Sequence, residues 1–334
     1  MSKITIRALN EDEFKIWDAI VDRSPQGTIF HTLEWLKIIA KHTHSQLFLF
    51  IGYFGDEPIA AIPFFYRKQS FFNILSSPIG STLIPHLGPV FPDYDLYKQY
   101  KREFYFREFQ KELDEFLIQK LKPDSISINT SPNLLDVRPL IWNGYQVIPK
   151  YNYIKDITNL ETVWNGFKKE LRKNIKKVEH EGCVIEPAGL EGYQFISQSL
   201  SNRFEEQEME FSASNEYLLD IFNAYYPDNL QIFIAKINGE PISGIVVTRY
   251  KNSISLWIGA THTDSKGIYP VDFLQWKIIE WGNLNGYEKC EILGANVPSI
   301  SYFKSRYNFD LEIYYSVKKT RGLYRILNAL LSYF

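Results

Sequence analysis

The chain has 334 residues, 45% of them apolar and 16% aromatic, which is long for one domain and comfortable for two. Its formal net charge of -2 excludes a globally basic protein, so no DNA or RNA partner is expected without a local cationic patch. The two cysteines, Cys183 and Cys290, supply neither a disulfide framework nor a zinc-ligand spacing, and no metal site is expected. The N-terminus lacks a signal-peptide core, and no apolar run reaches the roughly 18 residues of a membrane span, so the expected location is cytoplasmic.

In chain order, the first pattern is a strand–turn–strand. Leu47-Phe48-Leu49-Phe50-Ile51 is followed by Gly55-Asp56-Glu57 and by Pro58-Ile59-Ala60-Ala61-Ile62. It returns 183 residues later as Leu230-Gln231-Ile232-Phe233-Ile234, Asn238-Gly239-Glu240 and Pro241-Ile242-Ser243-Gly244-Ile245. Gly-Asp and Asn-Gly at the turns, between runs rich in Ile, Phe and Val, predict two β-hairpins. The recurrence predicts one structural unit used twice. The boundary is placed near Pro149-Lys150-Tyr151, with domains at 1–150 and 151–317 and a basic amphipathic helix at 318–334.

In the second half, helices are predicted over 159–181, 191–202, 215–226, 269–284 and 299–306. Strands are predicted over 253–260, 288–293 and 311–317. Helices interspersed with β-branched runs give an α/β chain with a mixed sheet and helices on both faces.

Three segments are candidates for chemistry. The helix around Lys168–Lys177 carries a buried stripe, Trp164, Phe167, Leu171, Ile175 and Val178. Opposite lies a basic ridge, Lys169, Arg172, Lys173 and Lys176. Such a ridge attracts phosphates; its alternative is a solvated helix face. The second segment is the end of a strand at Gly259-Ala260. It runs through Lys266-Gly267 into a helix beginning near Tyr269, where backbone N–H donors and the helix dipole can hold a pyrophosphate. The third comprises Asn296 and the stretch Tyr302 to Phe309, in which Asn308 suits a left-handed helix cap and Tyr302 and Phe303 read as core. An acidic run at Glu205, Glu206, Glu208 and Glu210 follows Arg203. Within it Glu206 is a candidate general base, with a solvated loop as the alternative. No nucleophile elbow, P-loop or dinucleotide fingerprint occurs. The tail places Leu323, Ile326, Leu327, Leu330, Leu331 and Phe334 at helical spacing behind Lys318, Lys319, Arg321 and Arg325. It suits either an anionic membrane surface or packing on its own lobe or a partner subunit.

The stretch Trp164-x-x-Phe167 with Leu171-Arg172-Lys173-Asn174-Ile175-Lys176-Lys177 and Gly182 resembles the opening of the C-terminal lobe in the FemAB-like and BioF2-like branch of the GNAT superfamily. Leu256-Trp257-Ile258-Gly259-Ala260, Leu274-Gln275-Trp276 through Trp281, Asn285-Gly286-Tyr287 and Phe30-His31-Thr32-Leu33-Glu34-Trp35-Leu36 are also similar to it. The resemblance implies two tandem GNAT-like domains and N-acyl transfer from acyl-CoA, or from aminoacyl-tRNA as in the Fem peptidyltransferases. It implies a small amine acceptor, often a nucleotide-linked sugar of the cell envelope. It also implies that Arg172 and Lys304 hold acceptor phosphates, Lys304 through Phe303-Lys304-x-x-Tyr307-Asn308. The chain departs from the GNAT acetyl-CoA signature at Asp264 and Tyr269, which opens the alternative of a non-catalytic binding module for nucleotide-sugars.

Overall fold

The computed structural model describes residues 3–80, 82–206, 213–261 and 269–331. They form two compact units: Met1–Lys150 with Ile313–Phe334, and Tyr151–Glu312.

The first unit begins with β1 (Ile4–Ala8), α1 (Trp17–Arg23) and α2 (Leu33–His42). Then come β2 (Gln46–Phe54), β3 (Glu57–Gln69) and β4 (Phe72–Ser77). α3 (Gln99–Lys120), β5 (Ser125–Asn129) and α4 (Arg138–Trp142) complete its first segment. β1 to β4 pair antiparallel in order. β4 then pairs parallel with β5, and α3 is the crossover that a parallel pair requires. Tyr105, Phe106, Phe109, Leu113 and Leu117 recur on one face of α3 and bury it against the sheet. Gly52 of β2 permits this approach, since a Cβ there would stand 2.5 Å from the Phe109 ring.

β6 (Gln146–Asp156) carries the chain into the second unit. It is followed by α5 (Leu160–Gly166), α6 (Lys169–His180), β7 (Val184–Ala188), α7 (Leu190–Glu206) and α8 (Asn215–Tyr225). The hairpin of β8 (Leu230–Ile237) and β9 (Glu240–Tyr250) leads to β10 (Ser253–Thr261), α9 (Pro270–Leu284) and β11 (Lys289–Ile292). α10 (Pro298–Lys304), β12 (Asp310–Thr320) and α11 (Gly322–Leu331) end the described chain. β7 to β10 are antiparallel in order, and β10 and β11 are parallel around the crossover α9. β6 closes the second unit's sheet beside β11, as β12 closes the first unit's beside β5.

The two units therefore repeat one strand plan. The repeat extends to a defect: pairing slips between Gly52 and Tyr53 in β2, and again 183 residues on, between Ala235 and Lys236 in β8. At the turns, Gly55 has φ +64°, while Asn238 and Gly239 have φ +51° and +83°, the left-handed geometry that these residue types tolerate.

Three expectations are corrected. The helix expected over 159–181 is two helices, because Phe167 and Lys168 are extended. Phe167 drops its ring between Trp276 and Tyr307, each with its ring centre 5.5 Å away, and the Lys168 N–H donates to Arg306 O at 3.0 Å. The segment 318–334 is not all helix. Lys318, Lys319 and Thr320 continue β12, where they pair with Ser127, Ile126 and Ser125 of β5, and Lys319 reaches the buried carboxylate of Asp114 at 2.7 Å. The second compact unit ends at Glu312. Tyr302, expected in the core, is 76% exposed. In α11, Tyr324 rests on Phe72 at 5.0 Å between ring centres, while Leu323 and Ile326 are exposed. No described helix is long and apolar enough to cross a membrane.

Candidate active site

The second unit's sheet opens at one place. β10 and β11 are in register from Ser253 opposite Lys289 to Leu256 opposite Ile292. β11 ends there, whereas β10 continues to Thr261, held on its other side by β9. A bulge between Leu256 and Ile258 marks the divergence. Beyond Leu256, the β10 edge that faced β11 has no strand neighbour among the described residues. Gly259, on this open stretch, is exposed. Ala260 is buried, and its carbonyl accepts from Ser243 Oγ at 3.0 Å.

The chain leaving β11 wraps back onto β6. Gly294 takes φ +86° for this turn, a conformation that disfavours any residue with a Cβ. Its N–H donates to Asn152 Oδ1 at 3.2 Å, and the Ala295 N–H donates to Tyr151 O at 3.2 Å. Asn296 accepts from the Tyr151 N–H at 2.8 Å and donates to Tyr151 O at 3.0 Å, so its amide binds the strand rather than standing free. Pro298 opens α10, which delivers Lys304 back to the same turn. There the Lys304 ammonium donates to the carbonyls of Leu293 and Gly294. Burial pushes its pKa down to about 8. The cation sits where β10 and β11 part, and no described carboxylate neutralises it.

A second cluster organises the approach to this point. Asp272, in the first turn of α9, is fully buried. It accepts from Tyr307 Oη at 2.7 Å and Asn174 Nδ2 at 2.9 Å, and pairs with Arg306 at 3.0 Å. Burial nevertheless pushes its carboxyl upward, since desolvation outweighs those three donors. Asn174 also donates to Tyr269 O at 3.1 Å. One aspartate thus joins α6, the start of α9 and the turn after α10. Asn308 ends that turn in the left-handed conformation expected of it, with φ +54°.

The basic ridge on α6 keeps Arg172 half-buried and Lys173 and Lys176 exposed, and among the described residues none of the three makes an ion pair. The Lys168–Arg306 backbone bond places the first turn of this helix beside the Lys304 segment. Arg203 and Glu206 lie apart from these contacts, both exposed at the end of α7. Tyr269 caps α9 and is 59% exposed, and Pro270 occupies the first helical position. Lys266 and Gly267 lie outside the described residues.

Sequence reasoning missed three groups. Glu291 on β11 accepts from Ser255 Oγ of β10 at 2.6 Å, one residue before the strands part. Glu312, on β12, is partly buried, and burial together with the neighbouring Glu291 raises its carboxyl to about 7. Asn152 is fully buried at the turn after β11. An acidic residue amid strand-forming ones was the only available signal for the two glutamates. Asn152 lay among tyrosines with no pattern to mark it.

Residues 165–305 match the family described as the acetyltransferase (GNAT) domain. Comparison with curated proteins returns no match. Among solved structures, FemX is similar with a TM-score of 0.68 at 12% identity, covering 93% of this chain and 96% of its own. The L-PGS from Bacillus licheniformis is similar with a TM-score of 0.57 at 16% identity, covering 95% and 94%. A tandem GNAT protein from the clavulanic acid biosynthesis pathway is similar with a TM-score of 0.52 at 9% identity, covering 96% and 99%. The family match thus falls within the second unit, and the chain shares its fold with FemX and with a tandem GNAT protein.

Proposed function

We propose that this protein is an N-acyltransferase that moves an acyl or aminoacyl group onto an amine of a small phosphate- or sugar-bearing acceptor, with a cell-envelope precursor as the acceptor class. One observation carries the reading: Lys304, whose pKa burial lowers to about 8, is delivered to the point where the parallel strands β10 and β11 separate. The open backbone edge of β10 past Leu256 fits the amide-bearing arm of an acyl-CoA, and exposed Gly259 leaves room along it. When bound, such a donor supplies an activated carbonyl; aminoacyl-tRNA is the alternative donor. The name lysylphosphatidylglycerol synthetase, carried by a similar structure of TM-score 0.58, joins an aminoacyl group to a phosphate-bearing acceptor and supports that pairing of chemistries.

The residues divide the work as follows. Arg172, with Lys173 and Lys176, holds acceptor phosphate. Lys304 keeps positive charge where the carbonyl oxygen gathers electrons while the amine nitrogen forms the N–C bond. Glu312, near neutrality beside Glu291, takes the proton that the nitrogen sheds. The leaving thiolate or ribose oxygen departs with the electron pair of the bond that breaks. Most of the remaining rate advantage comes from positioning.

The second reading, a binding module without turnover, is favoured by Pro270, which removes one N–H donor from the start of α9, and by Asp264 at the signature position. A thermal-shift screen with acetyl-CoA, longer acyl-CoAs and glucosamine 6-phosphate, paired with a transfer assay, decides between them. Transfer that is lost in Lys304→Ala and weakened in Arg172→Ala supports the enzyme. Binding of the sugar phosphate without transfer from acyl-CoA or aminoacyl-tRNA establishes the module. An acceptor shift that persists in both variants removes these residues from the site.

A further inference from the structure

Asn152 of β6 has no exposed surface, yet only half of its amide is satisfied. Its Oδ1 accepts from the Gly294 N–H at 3.2 Å. A backbone N–H can only donate, so the atom facing it is the amide oxygen, and Nδ2 is the free end. No described group accepts from that Nδ2. Leaving a buried donor unpaired is costly, and an apolar side chain of similar volume would avoid that cost. Tyr153, the next residue, turns into the second unit's core, so Asn152 faces the opposite side of the strand.

The groups behind Asn152 are aligned. The Lys304 ammonium donates to the carbonyl of Leu293. The N–H of the same peptide, that of Gly294, donates onward to Asn152 Oδ1. Charge, peptide and side-chain amide thus run head to tail, each polarising the next, and the positive end of the series is the Asn152 NH₂ group. A donor so placed selects an acceptor oxygen. Asn152 stands one residue beyond the last β6–β11 pair, Tyr153 opposite Ile292, and Ile292 is also where the β10–β11 pairing ends, so the amide lies beside the point where those strands part.

We infer that Asn152 recognises the acceptor substrate, donating through Nδ2 to a carbonyl, carboxylate or phosphate oxygen near the reacting amine. This rests on the acyltransferase reading. Its test is Asn152→Asp, which keeps an oxygen for the Gly294 N–H and turns the free donor into an acceptor. With acetyl-CoA as donor and glucosamine 6-phosphate as the amine, the variant is expected to raise the acceptor KM at least about tenfold, the loss of one hydrogen bond to a charged group. kcat and the KM for acetyl-CoA should stay within about threefold, and Tm within about 4 °C, of the parent protein. Asn152→Ala should raise the acceptor KM similarly, and decides the matter if the aspartate variant does not fold. An unchanged acceptor KM, or a loss of Tm with KM intact, makes the amide a structural group holding an ordered water and overturns the inference alone. A parent protein that transfers nothing to the probe overturns the inference together with the reading it rests on.

Discussion

At the scale of single residues, two groups titrate in the working range. Lys304 is lowered to about 8 and Glu312 raised to about 7, each mainly by burial. If Glu312 must be ionised and Lys304 charged, kcat/KM rises with pH through about 7 and falls through about 8. Glu312→Gln should lose the acidic limb and Lys304→Met the alkaline one, each with a drop on the order of 10²-fold, read from pH–rate profiles. Stability should move the other way for the glutamate. Its folded pKa lies above its unfolded value of 4.5, so its favourable contribution is complete below that value and is lost as pH rises through about 7. At pH 8 Glu312→Gln should therefore be more stable than the parent by on the order of 2 kcal/mol, measured by urea unfolding. A side chain that costs stability at the pH where it is ionised is typical of a site kept for function. For Lys304 the folded pKa lies below the unfolded 10.5, so stability should rise with pH between about 8 and 10.5 and lose that slope in Lys304→Met.

At the scale of elements, the hub on Asp272 decides whether α6, α9 and the turn after α10 keep their places. Asp272→Ala would leave Arg306 without its partner and Tyr307 Oη buried without an acceptor. The expected cost is about 3 kcal/mol in chemical denaturation, at the lower end for broken buried pairs because Arg306 is partly solvated. Asn174→Ala removes one donor to the same carboxylate and should cost about 1 kcal/mol. Asn174 lies in the stretch Leu171 to Lys177 that carries the family resemblance, and its contacts tie α6 to α9. The stripe of Leu171, Ile175 and Val178 on α6 was legible because helical periodicity is local. The break at Phe167 was not, because it depends on the rings of Trp276 and Tyr307, more than a hundred residues away in sequence.

At the scale of the whole molecule, the last strand in sequence completes the first unit. Ser316 to Thr320 pair with β5, and Lys319 meets Asp114, which also accepts from Tyr145 Oη and Gln110 Nε2. Ending the chain at Glu312 should therefore strip hydrogen-exchange protection from Ser125–Asn129 and lower the stability of the first unit. If protection on β5 is unchanged, β12 is dispensable there. Deleting α11 alone should have a smaller effect, since Leu323 and Ile326 are already exposed.

The duplication was readable from the chain alone, because a hairpin is set by its turn residues and alternating apolar runs, and both copies kept them down to the matching slip of register. The basic ridge of α6 and the left-handed cap at Asn308 came from local pattern, and the candidacy of Lys304 from resemblance. What only the tertiary structure decided were the lowered pKa of Lys304, the raised pKa of Glu312 and the half-used amide of Asn152. Each depends on burial and on partners brought together across long stretches of sequence, and neither desolvation nor an unpaired donor leaves a trace in local sequence order.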